Sequence, residues 1–259
     1  HQKGLAAYRA GWCLFNMNQI EKAAAELKTV LSSQELLSRS TGGVVSVDKQ
    51  FQEEVSRDYA TFISRLPFSE KYIEELYNLS PDNAKLAHTQ YLASEYERLG
   101  QVPASIAAWR FVIGRQSDPK ARLEGHVHLA QLQAQHQQRD KAVQDFSMSL
   151  SLWKGLGQCV DDTCKNLKIR LKQFVVDWSN LEKKQASEEL LDAYKQYLQV
   201  FPEEHDLRLW QAQAAQKKGE YDYAMKENLV VAQAIAAQQG TLSEQEKSWL
   251  QTSLLAAIE

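Results

Sequence analysis

The sequence predicts an all-α protein built from stacked antiparallel helix pairs, and three observations carry that prediction. Apolar residues recur at helical spacing along most of the chain. Short polar turns interrupt the periodicity, and a helix–turn–helix unit recurs in five copies, most of them degenerate and the one at 121–153 a weak match. Only 5 prolines and 11 glycines occur in 259 residues, too few for the turns of an all-β fold or for a disordered chain.

The first pair runs through Ala10, Gly11 and Leu14, turns over Asn16 to Gln19, and resumes at Ala23 and Leu27. The pattern returns as Leu92, Ala93 and Tyr96, a turn at Gly100, then Ser105 and Trp109. Leu129 and Ala130 precede a Gln-rich turn, followed by Ala142 and Phe146. Trp178 and Leu181 are followed by Leu190 and Tyr194, with Pro202 at the end. The last copy has Ala212 and Ala215, a turn at Gly219, then Ala224. The stretch 50–83 fits only through Pro81 and its helical spacing. Pairs are therefore expected near 2–31, 50–79, 84–115, 120–153, 165–201 and 205–238, about six hairpins in one domain, plus a capping helix over 243–257.

The physical reason for stacking is that two antiparallel helices cannot bury both apolar faces alone. Small residues such as Gly11 and Ala23 let backbones approach, while Trp109 and Phe146 fill the gaps. Asp118 before Pro119 reads as a helix N-cap, and Ser243 with Glu246 as a capping box. Ser69 is expected to cap a helix ending before Pro81. In the last helix Trp249, Leu250, Leu254 and Leu255 form an apolar stripe suited to covering the end of the stack. Two segments break the period: 32–49, where Gly42-Gly43 marks a turn beside a strand-like Val44-Val45, and 154–164, read as a connector or a functional insertion.

These repeats resemble the tetratricopeptide family, whose signature is Trp-x2-Leu-Gly-x2-Tyr, then Ala-x3-Phe, then Pro, in units of about 34 residues. Only Gly11 supplies the close-contact glycine; Ala93, Ala130 and Ala212 replace it. The resemblance covers most of the chain and implies a right-handed superhelical solenoid. The opening run Tyr8-Arg9-Ala10-Gly11-Trp12-Cys13-Leu14-Phe15, a long connector, then the acidic helix Phe51 to Phe62 is similar to tetratricopeptide proteins of delta-proteobacteria tied to gliding motility and the cell envelope. In those relatives the helix continues into Leu, Val and Phe, a run that Asp58 to Phe62 preserves only in part. That resemblance implies an envelope or periplasmic scaffold, with a cytoplasmic location as the alternative.

The composition carries a net charge of -3, which is no footprint for nucleic acid. Apolar stretches are broken well before 18 residues, so no membrane span is expected. The chain opens at His1 rather than methionine, and the expectation is a fragment of a longer chain. Cys13 reads as a buried small hydrophobe. Cys159 and Cys164 bracket a polar loop and read either as a local disulfide of an oxidising compartment or as two thiols.

Candidate chemistry is sparse. His126 and His128 lie two apart and do not share a helix face, so they read as surface histidines. The carboxylate pairs Glu53-Glu54, Glu74-Glu75, Glu188-Glu189 and Glu203-Glu204 diverge around the helix and read as solvated faces. No phosphate loop or Gly-x-Ser-x-Gly elbow appears, and neither an enzyme nor a metal or other cofactor is expected.

The family resemblance implies that the first helices of successive pairs line a concave, peptide-binding groove. By register that groove takes Tyr8, Trp12 and Phe15, then Gln90, Ser94, Glu97 and Arg98, then Val127 and Gln131, then Lys172, Val175 and Ser179, and finally Leu209 and Gln213. The Asn and Lys set that clamps a carboxyl terminus in chaperone-binding relatives is absent, so recognition of a free carboxylate is not expected. Tyr8, Trp12 and Phe15 form an aromatic stripe that is either a binding hot spot or covered by a helix upstream of His1. The expected function is a scaffold for a protein or peptide partner. The alternative is a regulatory or assembly subunit of a larger enzyme or secretion complex.

Overall fold

A computed structural model describes residues 2–41, 44–237 and 241–256. Among them are fourteen helices and one two-stranded antiparallel ribbon. They group into two compact units, 1–117 and 118–259. The periodicity, which runs on across Ser117, does not mark that division.

In the first unit α1 (Gln2–Asn16) pairs with α2 (Ile20–Ser32), α4 (Lys49–Ile63) with α5 (Glu70–Leu79), and α6 (Lys85–Arg98) with α7 (Val102–Arg115). Between the first two pairs, α3 (Gln34–Leu37) leads into β1 (Ser38–Thr41) and β2 (Val44–Val47), paired from Ser38–Val47 to Thr41–Val44. The strand-like run at Val44-Val45 is thus the second strand; Gly42-Gly43 lies outside the described residues. In the second unit α8 (Pro119–Gln135) pairs with α9 (Arg139–Gly155), α10 (Asp162–Leu181) with α11 (Glu188–Val200), and α12 (His205–Lys218) with α13 (Tyr221–Ala236). α14 (Glu244–Ala256) packs on α13 and α12. The expected ends at residues 238 and 257 lie outside the described residues.

Side-chain caps set several helix starts. Asp118 accepts from the Lys120 and Ala121 amides at 3.1 and 3.3 Å, and Asp48 from the Phe51 amide at 3.1 Å. The Ser243–Glu246 box closes in both directions, at 2.8 and 3.2 Å. Ser69 precedes α5 without a side-chain cap.

Four hairpin turns are built the same way. One or two residues past the first helix the chain adopts a left-handed conformation: Asn18 (φ 59), Gly100 (φ 71), Gln137 (φ 58) and Gly219 (φ 88). The next amide then reaches back to close the helix end, Gln19 to Leu14, Gln101 to Tyr96, Gln138 to Gln133 and Glu220 to Ala215, all at 2.8–2.9 Å. An offset of 119 residues carries Asn18 onto Gln137 and Gly100 onto Gly219. The same offset lays the helices of the first unit over those of the second pair by pair. The middle pair of each unit has a longer connection, Ser64 to Ser69 and Glu182 to Ser187. Each unit therefore repeats one three-hairpin plan, with the ribbon inserted in the first and α14 appended to the second.

The cores follow that plan with different residues. Gly11 sits where any Cβ would run into Leu27 of α2; its counterpart Ala130 is fully buried. Buried Tyr59 and Trp178 are counterparts, as are Leu27 and Phe146. Half of the apolar stripe on α14 is used: Trp249 and Leu250 pack against Leu209, Val231 and Ile235. Leu254 and Leu255 stay exposed.

Candidate functional site

In both units clefts open along the first helices of the pairs, and the first unit has a further one of about 520 Å³ among β2, α4, α5 and the α5–α6 connection, with Val47, Gln52, Asn78, Asp82 and Lys85 around it. In the first, α1, α4 and α6 enclose about 690 Å³ lined by Trp12, Glu53, Glu54, Arg57, Asp58, Thr61, His88 and Tyr91, among others. In the second, α8 and α10 form a smaller cleft of about 130 Å³ with Val127, His128, Gln131, Gln173 and Asp177 in its wall. A further cleft of about 200 Å³ lies among α10, α11, α12 and the Glu182–Ala186 connection, with Ser179, Asn180, Lys183, Trp210, Gln213 and Lys217 around it.

The aromatic stripe of α1 is half-buried and packs against α4. Tyr8 and Trp12 donate to one Asp58 carboxylate oxygen at 2.6 and 2.8 Å. Phe15 stacks on Phe62 with centroids 4.3 Å apart, and Trp12 meets the same ring edge-on at 5.0 Å. Burial and the Asp58 carboxylate push the Tyr8 hydroxyl well above its ordinary pKa. Cys13 faces outward and is exposed, a correction to the buried expectation: the face α1 turns inward carries Gly4 and Gly11 instead.

The remaining groove residues divide. Ser179 and Gln213 come together in the α10–α12 cleft, and Gln131 lines the α8–α10 cleft. Gln90, Ser94 and Arg98 are exposed on α6 outside the clefts. Val175 and Leu209 are core residues, at most 5% exposed, and do not present a groove surface; Val127 is as deeply buried but reaches the wall of the α8–α10 cleft. Their helices turn these positions towards neighbouring pairs, a choice that register alone does not make.

The 119-residue offset relates the clefts side chain by side chain. The bond from Trp12 to Asp58 recurs as Gln131 to Asp177, at 3.5 Å. Tyr91, Ser94 and Arg98 fall on Trp210, Gln213 and Lys217. The charges differ: Glu53, Glu54 and Arg57 fall on Lys172, Gln173 and Val176. In the first unit the Arg57 guanidinium lies 5.0 Å from the Tyr91 ring centre, and Arg98 is held bidentately by buried Glu95 at 2.7 and 3.0 Å. His88 sits 2.9 and 3.1 Å from the Ser56 and Ser80 hydroxyls. Burial holds its pKa below the ordinary histidine value, with Arg57 adding to the effect.

Several acidic residues read as solvated take ion-pair partners: Glu75 and Glu204 are largely buried in doing so, while Glu188 and Glu203 stay exposed. Glu75 takes Lys28 at 2.9 Å and Lys71 at 3.5 Å. Burial raises its pKa, but the Lys28 and Tyr59 hydrogen bonds more than offset this and hold it below its usual range. Glu203 and Glu204 receive Lys168, and Glu204 also Lys172; Glu188 pairs with Lys218. His126 is half-buried against Asp145 at 2.9 Å, not a surface histidine, because α9 supplies a buried carboxylate opposite it. Apart from Lys71, four residues before Glu75, these partners lie 19 to 47 residues away, beyond the reach of local pattern.

Cys159 and Cys164 are joined as a disulfide, with Cα atoms 5.6 Å apart, just before and at the start of α10. Asp161 between them caps the Cys164 amide at 2.9 Å and takes Lys120 at 2.5 Å. The two sulfurs and Asp161 lie within 4.8 Å of one another, but the disulfide engages both sulfurs. Among the described residues no helix is long and apolar enough to cross a membrane. No family model and no curated protein matches the chain.

Proposed function

We propose that the chain is a non-enzymatic interaction scaffold of the tetratricopeptide kind, binding a protein or peptide partner along the first helices of its pairs. One observation carries this reading: both units have open clefts along their first helices, α1, α4 and α6 in one and α8, α10 and α12 in the other, furnished with aromatic, amide and charged side chains. That mixture suits peptide recognition, where an aromatic anchor supplies affinity and polar neighbours supply register. The carboxylates with lowered pKa values, Glu75, Asp82, Asp161, Glu182 and Glu203, are all engaged with Lys or Arg, which supports structural roles for them. The Cys159–Cys164 disulfide favours an oxidising compartment, and with it an envelope or periplasmic assembly, including a motility-related one.

The test is site-specific photo-crosslinking in native cells. A crosslinker at Gln131 or Gln213 is expected to capture a defined protein partner, and one at exposed Gln144 on α9 is not. Equal capture from all three positions, or turnover of a small substrate by the purified chain, contradicts the reading.

A further inference from the structure

The α10–α12 cleft differs from its counterpart in the first unit in one respect that matters for binding: its aromatic and its cation are uncovered. Tyr91 in the first unit donates to or accepts from Thr61 at 3.1 Å and lies beneath Arg57. Its counterpart Trp210 has Val176 in place of Arg57, and its residue is 41% exposed. Arg98 in the first unit is neutralised by Glu95. Its counterpart Lys217 has Ala214 in place of Glu95, and Lys217 forms no ion pair among the described residues. Lys183 on the opposite wall forms none either.

The one carboxylate at the cleft, Glu182, is already committed. It accepts from Arg139 at 2.6 Å, from Trp178 at 3.1 Å and from the Ser187 amide at 2.8 Å. The free charge of the cleft is therefore positive, beside an exposed indole, with Asn180 and Gln213 amides within the same wall. A volume of about 200 Å³ takes one or two side chains rather than a folded domain.

We infer that the α10–α12 cleft binds an extended acidic peptide segment, an apolar side chain resting on Trp210 and flanking carboxylates paired with Lys183 and Lys217. The amides of Asn180 and Gln213 each offer a donor and an acceptor, which matches a peptide backbone. Two lysines are too few for the counterion release that drives binding to a phosphate polymer. Binding does not require a free carboxyl terminus, since either lysine serves an internal Asp or Glu equally well. The inference deepens the scaffold reading and rests on it.

The experiment screens the full chain against a randomised library of octapeptides, acetylated and amidated so that no terminal charge remains. Enriched sequences are then measured by fluorescence anisotropy. Enrichment of Asp or Glu flanking Leu, Phe or Trp is expected. Trp210→Ala and, separately, the exposed-site change Lys217→Glu are each expected to weaken the enriched peptide about tenfold or more. Replacing its carboxylates by Gln is expected to do the same, and raised salt to weaken it progressively. Circular dichroism checks that both variants remain helical. Enrichment of basic or uncharged peptides, or binding insensitive to both variants, overturns the inference and leaves the scaffold reading standing. Tighter binding of a single-stranded oligonucleotide than of any peptide also overturns it. Absence of saturable binding by any peptide up to about 1 mM counts against both.

Discussion

Tyr91 and Trp210 occupy the same place in a plan that the molecule uses twice, yet their surroundings have opposite character. In the first unit the ring lies under Arg57, the neighbouring Arg98 is held by Glu95, and the first-helix aromatics Tyr8 and Trp12 close on Asp58. In the second unit Val176 and Ala214 take the places of Arg57 and Glu95, so the ring and Lys217 face the cleft without a cover. The backbone plan is kept and only the side chains change. The comparison teaches that an aromatic ring and a cation are uncovered here by deleting their internal partners, not by adding new groups.

The largest test of the shared plan is paired truncation in its two cores. Tyr59 and Trp178 are at most 1% exposed and stand at equivalent places. Tyr59→Ala and Trp178→Ala are each expected to cost about 3–5 kcal/mol, read by urea unfolding, each with its own unit losing amide protection first in hydrogen exchange. A loss below about 1 kcal/mol at either site would show that the position is not a core position of the plan.

A smaller effect separates the units through the disulfide, which only the second one carries among the described residues. It closes a short loop, with a sequence separation of 5, so its reduction is expected to lower stability by about 2 kcal/mol. Hydrogen exchange after reduction should loosen the start of α10 and leave residues of the first unit unchanged. Uniform loosening of both units would contradict their description as separate compact bodies.

Smaller again is the cost of the left-handed turn. Gln137 adopts φ 58, where Gly219 stands in the other tight turn of its unit. A side chain at such a position costs about 1 kcal/mol, so Gln137→Gly is expected to raise stability by somewhat less than that, since glycine also gains freedom in the unfolded chain. A clear destabilisation in a thermal melt would contradict the turn geometry.

The last difference concerns pH. His88 is buried, and its folded pKa is lowered from 6.5; Leu207 stands at its place in the second unit. Below about pH 6.5 the unfolded chain binds a proton that the folded one refuses. The contribution is therefore full above that value and is lost as pH falls through the folded pKa. Urea midpoints for the wild type should fall over that interval, and His88→Gln should flatten the change. An unchanged slope in the variant would place the pH dependence elsewhere.

Much of this architecture is legible in the sequence because helices advertise themselves locally. Periodicity places the helices, and Asp118 and the Ser243–Glu246 box mark two starts with side chains that the structure uses as caps. What covers the aromatic stripe is not legible, since Trp12 meets Asp58 across 46 residues and any apolar helix could have served. The repetition of the three-hairpin plan is hidden for a related reason. Its shared feature is backbone geometry, carried by Asn18 and Gln137 as well as by glycines, while buried counterparts differ in identity, as with Trp109 and Asn228. Of the clefts, the sequence picks out Trp12, Val127, Gln131, Ser179 and Gln213. It misses Trp210 and Lys217, whose importance rests on what Val176 and Ala214 leave uncovered.

The most direct measurement is backbone and indole NMR of the full chain titrated with the enriched acidic octapeptide. The account predicts that shifts concentrate on Asn180, Gln213, Lys217 and the Trp210 indole, with Tyr91 and Ser94 at the equivalent place in the first unit unmoved. Equal shifts at both places, or shifts at Tyr91 and Ser94 alone, would contradict it.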